Sequence, residues 1–301
     1  MHGTAVNVLC VGMATWDITM QVDHHPGANE KCFATQVVEC GGGPAANAAV
    51  AVARLGGVSA FAGYLGNDLY GDQHFEELVR EGIITTGIVR AADPTPLSVI
   101  LVKPSGARTV VSYRPKKPLN RSTAYLNKLV QLKPEVLLCD GHERNISVEL
   151  ARWAKKENVP VVLDAGSVHQ GTRDLMKFTD FLVASYKFSH DFTGETDPRR
   201  ALVPLSEYAK TVVITIGEQG LVWKTGEFSG AFPAFPVKAV DTTGAGDVFH
   251  GAFALGVARR MPLKEILRFA SAAAALSCTK MGARIACPSE SEVLRFLQNF
   301  S

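Results

Sequence analysis

Short apolar segments rich in β-branched residues alternate along this chain with longer segments of helical periodicity, and this alternation restricts the folds open to it. Strand-like segments cover residues 6–11, 60–65, 136–139, 159–163, 181–184 and 212–216, and helical patterns cover residues 44–55, 71–81, 146–156 and 245–259. Such alternation is typical of parallel strands joined by crossover helices, with both faces of the sheet covered. The sequence therefore predicts an α/β sandwich.

Two segments, residues 17–39 and 97–113, break this pattern. Polar and apolar residues alternate in them, as in residues 33–37 and 109–113. This alternation favours strands with one solvated face, so we expect a small separate sheet. Both segments leave the main sheet near the carboxyl ends of its strands, where ligands bind in open α/β sheets. We therefore expect the small sheet to act as a lid over a binding site.

The composition favours a protein that binds small molecules. The 301 residues are 47% hydrophobic, enough for a substantial core, and 31 basic against 29 acidic residues leave a formal charge of +2. The charges are spread along the chain, so no basic stripe is available for nucleic acid. No stretch approaches the roughly 20 apolar residues of a membrane span, and the amino terminus predicts a buried strand rather than a signal peptide. We expect a cytoplasmic protein whose six scattered cysteines are reduced thiols.

The most informative motif, residues 241–247, reads DTTGAGD and precedes a helical pattern. Small residues at positions 244–246 let the backbone approach a ligand closely, and a helix that begins there directs N–H groups at an anion. Asp247, in the first turn, would lie beside a bound phosphoryl group and is able to accept a proton from an attacking hydroxyl. Taken alone, the motif is equally consistent with a tight loop followed by a helix-start carboxylate.

A second glycine cluster, residues 41–43, opens an alanine-rich helical pattern. Consecutive glycines are able to present N–H groups to substrate hydroxyls, and the amide of Asn47, about one turn into the helix, both donates and accepts. The alternative is a strand-to-helix turn whose small residues only permit close packing. The two clusters in combination favour a phosphoryl-transfer site over these alternatives.

Through these two motifs the sequence resembles the ribokinase-like carbohydrate kinases of the PfkB family over essentially its whole length, whereas the Walker A motif of other kinases is missing. The resemblance implies one domain, residues 1–301, with a three-layer α/β/α sandwich, a mostly parallel central sheet and a small β-sheet lid formed by about residues 17–39 and 97–113. It also implies an ATP-dependent sugar kinase that forms a homodimer through its lids.

The resemblance assigns roles to both motifs. Asp247 matches the catalytic base of the family, and the backbone amides of Gly244, Ala245 and Gly246 match its anion hole. The implied partners of substrate hydroxyls lie after the first strand and in the glycine cluster: Asp17, Gly42, Gly43 and Asn47.

Other residues are assigned to the nucleotide. Thr215, Gly217 and Gly220 resemble the Thr-x-Gly turn of the family, where a hydroxyl and backbone amides meet phosphates, and Thr243 is assigned to the same site. The small-residue segment that ends at Cys278 is expected either to pack against adenine or to form an ordinary core helix.

Metal binding departs from the family pattern at one place. Relatives carry an Asn-x-x-Glu motif that organises magnesium and phosphates, but the matching residues 185–188 read SYKF and lack the acidic member. Mg²⁺ is still expected because ATP binds it through its own phosphates. Ser185 and Lys187 are the candidate phosphate contacts here, and a solvent-exposed lysine is the alternative. Asp241 and Thr243 match positions that in some relatives help hold a potassium ion.

The substrate is the least constrained part of the prediction. Arg108 and Arg114, with Lys116 and Lys117 nearby, are candidates to pair with a carboxylate, sulfonate or phosphate on the sugar, and solvated lid charges are the alternative. Arg114 is the predicted substrate-binding residue of this group. We expect phosphorylation of a hydroxyl, taken as primary, of a ketohexose or an acidic sugar. A nucleoside kinase and a sugar- or nucleotide-sensing protein with impaired catalysis are the alternatives.

Overall fold

The computed structural model describes residues 5–115 and 122–300, and Lys116 and Lys117 lie outside these ranges. Two sheets and ten α-helices form within the described residues. The strands are β1 Val8–Val11, β2 Thr15–Gln21, β3 Gln36–Gly42, β4 Ser59–Gly66, β5 Ile84–Ala91, β6 Leu97–Val102, β7 Arg108–Tyr113, β8 Val136–Cys139, β9 Val161–Ala165, β10 Phe181–Ser185, β11 Thr211–Thr215, β12 Leu221–Thr225 and β13 Phe228–Phe232. The helices are α1 Pro44–Arg54, α2 Leu69–Arg80, α3 Thr123–Val130, α4 Arg144–Glu157, α5 Gln170–Met176, α6 Tyr186–Thr193, α7 Pro198–Leu205, α8 Ala245–Ala258, α9 Leu263–Ser277 and α10 Glu290–Gln298.

The large sheet has nine strands in the order β13-β12-β11-β10-β9-β8-β1-β4-β5 and is parallel from β11 to β5. Its central strands are continuous apolar runs because helices cover both faces. In β1, Val8 and Cys10 join a core shared with α1, α8 and α9, whereas Leu9 and Val11 join a second core on the opposite face. The predicted α/β/α sandwich is therefore confirmed.

The small sheet has four strands in the order β3-β2-β6-β7, which confirms the predicted lid sheet. β2 pairs with β3 antiparallel and with β6 parallel, and β7 is exposed along its whole length. The strand predicted at residues 33–37 lies instead at Gln36–Gly42 and includes the first two glycines of the cluster. The alternation did not locate this strand because residues 33–37 are all exposed, so apolar and polar positions there do not separate a buried face from a solvated one.

Three strands escaped prediction because they lie at the edges of the large sheet or carry polar residues. These are β5 and the antiparallel hairpin of β12 and β13. A capping box begins α10, because Ser289 and Glu292 each accept from the backbone N–H of the other. All six cysteines are free thiols, as expected. Across the described ranges, no helix combines the length and the apolar character needed to cross a membrane.

Candidate active site

The start of α8 lies at a cavity of about 650 Å³. Gly244 is the residue before the helix and has a φ of 77°, in the left-handed region that favours glycine. A Cβ at Gly246 would meet no atom within 4 Å, so the backbone there faces open space. The first N–H groups of a helix have no partner within it, and they carry the positive end of its dipole. The cavity is therefore suited to an anion at this helix start.

Asp247 follows in the first turn of α8 and is partly buried. Its Oδ2 accepts a hydrogen bond from Nδ2 of Asn47 on α1 at 2.8 Å. Burial raises the pKa of the Asp247 carboxyl above its ordinary value, and the nearby Asp164 carboxyl raises it further. A carboxyl with a raised pKa that remains hydrogen-bonded to a fixed donor is suited to accept a proton near neutral pH.

A buried histidine beneath Asp247 was not anticipated from the sequence. His250 Nδ1 contacts the carbonyl oxygen of Gly246 at 2.6 Å, and its Nε2 lies 3.1 Å from the Val183 carbonyl and 3.4 Å from Asp164 Oδ1. Burial and the neighbouring Asp140 raise the pKa of Asp164 to about 8, while burial lowers the pKa of His250. His250 thus contacts the carbonyl of Gly246, a residue of the phosphate-facing turn. The sequence signal that could have identified His250 is its position three residues after Asp247 on the same helix.

Asp17 lies on β2 with its carboxylate buried next to the glycine cluster. Thr15 Oγ1 donates to Asp17 Oδ1 at 2.6 Å. A Cβ at Gly42 would lie 2.0 Å from Asp17 Oδ2, and a Cβ at Gly43, whose φ is 94°, would lie 2.5 Å from the Met13 carbonyl oxygen. The cluster therefore allows close packing around Asp17, which was the alternative reading of these glycines. A substrate contact through their amides stays a prediction.

Asp140 at the end of β8 was not assigned a role from the sequence. Its Oδ2 accepts from the backbone N–H of Met13 at 2.8 Å and of Ala45 at 3.2 Å, and its Oδ1 accepts from the N–H of His142 at 2.8 Å. One buried carboxylate thus ties the loop after β1, the start of α1 and the loop after β8 together. These contacts fix the position of Asn47, which lies in the first turn of α1.

The two lid arginines lie at different places. Arg114 donates to the carbonyl oxygen of His142, and its guanidinium is 3.2 Å from His142 Nδ1 and 3.3 Å from Glu143 Oε1. His142 in turn stacks on His169 with ring centroids 4.7 Å apart. Arg108 instead donates to Thr242 Oγ1 at 2.5 Å, on the loop that precedes α8.

Four of the predicted nucleotide residues lie together at the cavity beside the start of α8. Thr215, Gly217, Gly220 and Cys278 line the cavity, together with Gly246 of the phosphate-facing turn. The lid turn at residues 105–107 also lines this cavity, which the sequence did not reveal. Since Gly106 accepts from Thr242 through its carbonyl oxygen at 3.4 Å, the lid turn reaches the same loop as Arg108 does.

Ser185 and Lys187 have other contacts in this structure. Ser185 Oγ accepts from the Phe188 N–H at 2.9 Å as the cap of α6 and donates to the Gly166 carbonyl at 2.9 Å. Lys187 is exposed, and its Nζ lies 2.5 Å from Asp191 Oδ2. A phosphate contact by Lys187 would require this ion pair to break, so the exposed alternative describes its position here.

Asp241 and Thr243 organise the loop before α8. Asp241 is buried, and its Oδ1 accepts from the backbone N–H of Thr243 at 2.9 Å and from Thr243 Oγ1 at 2.6 Å. Asp241 Oδ2 accepts from the N–H of Gly282 at 2.9 Å. The carboxylate thus fastens the DTTGAGD loop to the segment after α9, and a role in holding potassium stays a prediction.

Comparison with known proteins defines the class to which this arrangement belongs, the ribokinase-like small-molecule kinases. The family model described as "pfkB family carbohydrate kinase" matches residues 6–290, so the chain belongs to that family. A ribokinase of Bacillus subtilis (strain 168) is 28% identical over 293 residues, which cover 97% of this chain and 99% of that protein. A fructokinase of Solanum tuberosum is 32% identical over 286 residues, which cover 85% and 86% of the two chains.

Solved structures agree with this membership. Ribokinase from Thermotoga maritima matches with a TM-score of 0.85 and 31% identity over 98% of this chain and 100% of that chain. Arabidopsis thaliana ribokinase complexed with ribose and ATP matches with a TM-score of 0.85 and 27% identity over 98% and 99%. The protein is therefore an ATP-dependent sugar kinase, and the predicted family, fold and enzyme class are confirmed.

Proposed function

We propose that the protein transfers the γ-phosphoryl group of ATP to a primary hydroxyl of a ketohexose, with Asp247 as the general base. The observation that carries this proposal is the Asp247 carboxylate in the first turn of α8, beside a backbone turn that faces an open cavity. The fructokinase among the relatives, 32% identical, supports a ketohexose, and a ribokinase relative of the same 32% identity makes D-ribose the competing sugar.

In the proposed reaction the sugar hydroxyl oxygen attacks the γ-phosphorus, the bond from that phosphorus to ADP breaks, and the hydroxyl proton passes to Asp247. The raised pKa of Asp247 makes its carboxylate a stronger base than an exposed one. The amides of Gly244, Ala245 and Gly246 would stabilise charge on the transferring group, because this site presents N–H groups and a helix dipole to it. Asn47 holds the carboxylate through its 2.8 Å hydrogen bond.

Asp17 is the proposed anchor for the sugar, together with the nearby amides of Gly42 and Gly43. An ionised carboxylate is able to accept from two hydroxyls at once, which suits a polyol. The glycines permit the carboxylate to reach this position, since a side chain at Gly42 would overlap it.

ATP would occupy the 650 Å³ cavity, whose lining includes Thr215, Gly217, Gly220 and Cys278. The ATP complexes of related kinases support this assignment. Within residues 5–115 and 122–300 the structure gathers no set of three acidic, histidine or cysteine ligands able to hold a metal. Mg²⁺ is proposed to arrive with ATP and to be held by its phosphates and by water.

A substrate with an acidic group is a second candidate, favoured by the position of Arg114. The guanidinium lies over His142, at the loop after β8, close to the carboxyl ends of the central strands. Its ion pair with Glu143 partly offsets the charge, so an anion bound there would compete with that carboxylate.

We also propose that the lid mediates a homodimer. Val111 is 70% exposed and Tyr113 55% exposed on β7, and Val37 of β3 is 52% exposed. Exposed apolar groups concentrated on one small sheet are typical of an association surface. The molar mass in solution, measured by sedimentation, tests this proposal, and a monomer at micromolar concentration would contradict it.

The function itself is tested by ADP release from MgATP with a panel of acceptors: D-fructose, D-ribose, fructose 6-phosphate, a hexuronic acid and adenosine. We expect the highest kcat/KM with D-fructose. A preference for the charged sugars that disappears in Arg114→Ala would establish the acidic alternative. Turnover of adenosine alone would overturn the sugar assignment, and thermal stabilisation by a sugar without ADP release would indicate a sensor.

A further inference from the structure

A buried arginine, Arg284, lies behind the proposed active site and has no role in the reaction described above. It follows α9, and only 3% of its surface is exposed. Its Nη1 donates to Glu77 Oε2 of α2 at 2.9 Å, and its Nη2 lies 3.3 Å from Asn47 Oδ1 and 3.0 Å from His74 Nε2. The guanidinium thus joins acceptors of two helices, Asn47 on α1 and His74 and Glu77 on α2.

The backbone leaves room for this guanidinium at one glycine. A Cβ at Gly41 would lie 1.9 Å from Arg284 Nη1, so no other residue fits at this position of β3 without displacing the arginine. The N–H of Gly41 also donates to Glu77 Oε2, at 2.8 Å. The lack of a side chain at Gly41 therefore makes room for Arg284, as the lack of one at Gly42 makes room for Asp17.

The contact with Arg284 determines how the Asn47 amide is oriented. A guanidinium has only donors, so it requires the Asn47 oxygen, and the Asn47 NH₂ group is then directed at Asp247 Oδ2. The opposite orientation would place NH₂ against the guanidinium and oxygen against the carboxylate. Both changes are unfavourable, so Arg284 and Asp247 together specify one orientation of the amide between them.

We infer that Arg284 is a positioning residue for phosphoryl transfer: its guanidinium orients the Asn47 amide toward the general base. The inference rests on the proposed role of Asp247. The orientation uses two nitrogens of the guanidinium, one bonded to Glu77 and one to Asn47, which a single ammonium group does not reproduce.

Two variants test this orientation. Arg284→Met removes the guanidinium, so kcat/KM with MgATP and the preferred sugar of the panel should fall about 100-fold, as expected for a misplaced reacting group. The acidic limb of its kcat/KM profile should move to higher pH, because the Asn47 hydrogen bond that lowers the pKa of the Asp247 base is lost. Arg284→Lys keeps the charge but has a single nitrogen, so it should lose rate and shift the limb in the same direction.

Arg54→Lys is the matched control. Arg54 pairs with Glu81 at 2.6 Å and donates to the carbonyl oxygens of Arg284 and Cys287, so it supports the same segment. Its substitution should lower Tm and leave the pH profile in place. A general loss of folding in the segment would give all three variants the same behaviour.

Crystal structures of the two Arg284 variants provide a readout that does not depend on turnover. We expect the Asn47 Nδ2 to Asp247 Oδ2 hydrogen bond to be lost in both. If that bond persists and the pH profile of Arg284→Met equals that of the wild type, the inference is overturned. Should Arg284→Met fail to fold, Arg284→Lys decides the inference. A wild-type protein without turnover would refute the proposed function, and the crystal structures would still test the orientation of Asn47.

Discussion

Replacement of Asp247 by asparagine tests the proposed chemistry most directly. Asp247 Oδ2 accepts from Asn47 Nδ2 at 2.8 Å, and an asparagine oxygen is able to accept the same bond, so the local structure should survive. The proton acceptor is lost. A positioned general base contributes about 10²–10⁴-fold, which equals about 3–5 kcal/mol of transition-state stabilisation. We expect kcat to fall by this factor while KM for sugar and ATP changes less than about threefold.

The same substitution should change the pH dependence of stability. The pKa of Asp247 is raised in the folded protein by burial and by Asp164, so the folded state binds this proton more tightly than the unfolded chain does. Its contribution therefore favours folding at acidic pH and declines as pH rises from about 4 through the folded-state pKa. Asparagine does not titrate. The stability of Asp247→Asn relative to wild type should increase over this window, by about 1.4 kcal/mol per unit of pKa shift.

Coupled ADP release measures the change in kcat. Denaturant unfolding at pH 5 and pH 8 measures the change in the pH dependence of stability. Asp72→Asn is the control, because this exposed carboxylate on α2 pairs with Arg90 at 2.6 Å, away from the cavity. It should leave turnover unchanged. Retention of kcat within about tenfold of wild type in Asp247→Asn would refute the general-base assignment, since even the lower limit of such catalysis is larger.

Two further substitutions test the substrate and nucleotide sides. Gly42→Ala places a Cβ 2.0 Å from Asp17 Oδ2, so KM for the sugar should rise about tenfold or more while KM for ATP stays constant. Gly27→Ala is the control, because its Cβ would lie 3.5 Å from its nearest neighbour. Equal sugar KM values in the two variants would contradict the role of Asp17. Arg108→Ala removes the 2.5 Å hydrogen bond between the lid and Thr242, so KM for ATP should rise about three- to tenfold, and initial rates at varied ATP measure it. An unchanged ATP dependence would indicate that the lid turn does not contribute to nucleotide binding.

The fold was predictable where burial is uniform. Residues 136–139 were predicted as a strand with the bounds that β8 has, because a strand buried on both faces is a continuous apolar run. Edge strands lack this signal. The β12–β13 hairpin has one strand that is largely exposed, and the pattern of β3 was displaced because its first residues are solvated. Both differences reflect partial burial, which leaves hydrophobic alternation weak.

The site was predictable where a motif keeps its residues together in the chain. The turn before α8 and Asp247 are adjacent in sequence, so their arrangement follows from the helix start alone. Arg284 could not be found in this way, since it is 237 residues away from its partner Asn47. Asp164 likewise meets His250 only because β9 and α8 pack in the folded chain. Contacts of this length are set by the topology and leave no local pattern.

The distance between Asn47 and Asp247 depends on how closely α1 and α8 approach each other. A Cβ at Gly251 would lie 2.5 Å from the Ala48 carbonyl oxygen and 2.9 Å from the Ala51 Cβ, so small residues on both helices are required for this packing. A larger side chain at either position would separate the helices, and a displacement of roughly 1 Å would take the 2.8 Å hydrogen bond beyond normal range. The alanine-rich pattern of α1, which by itself predicts only a helix, is therefore also what brings the amide within reach of the proposed base.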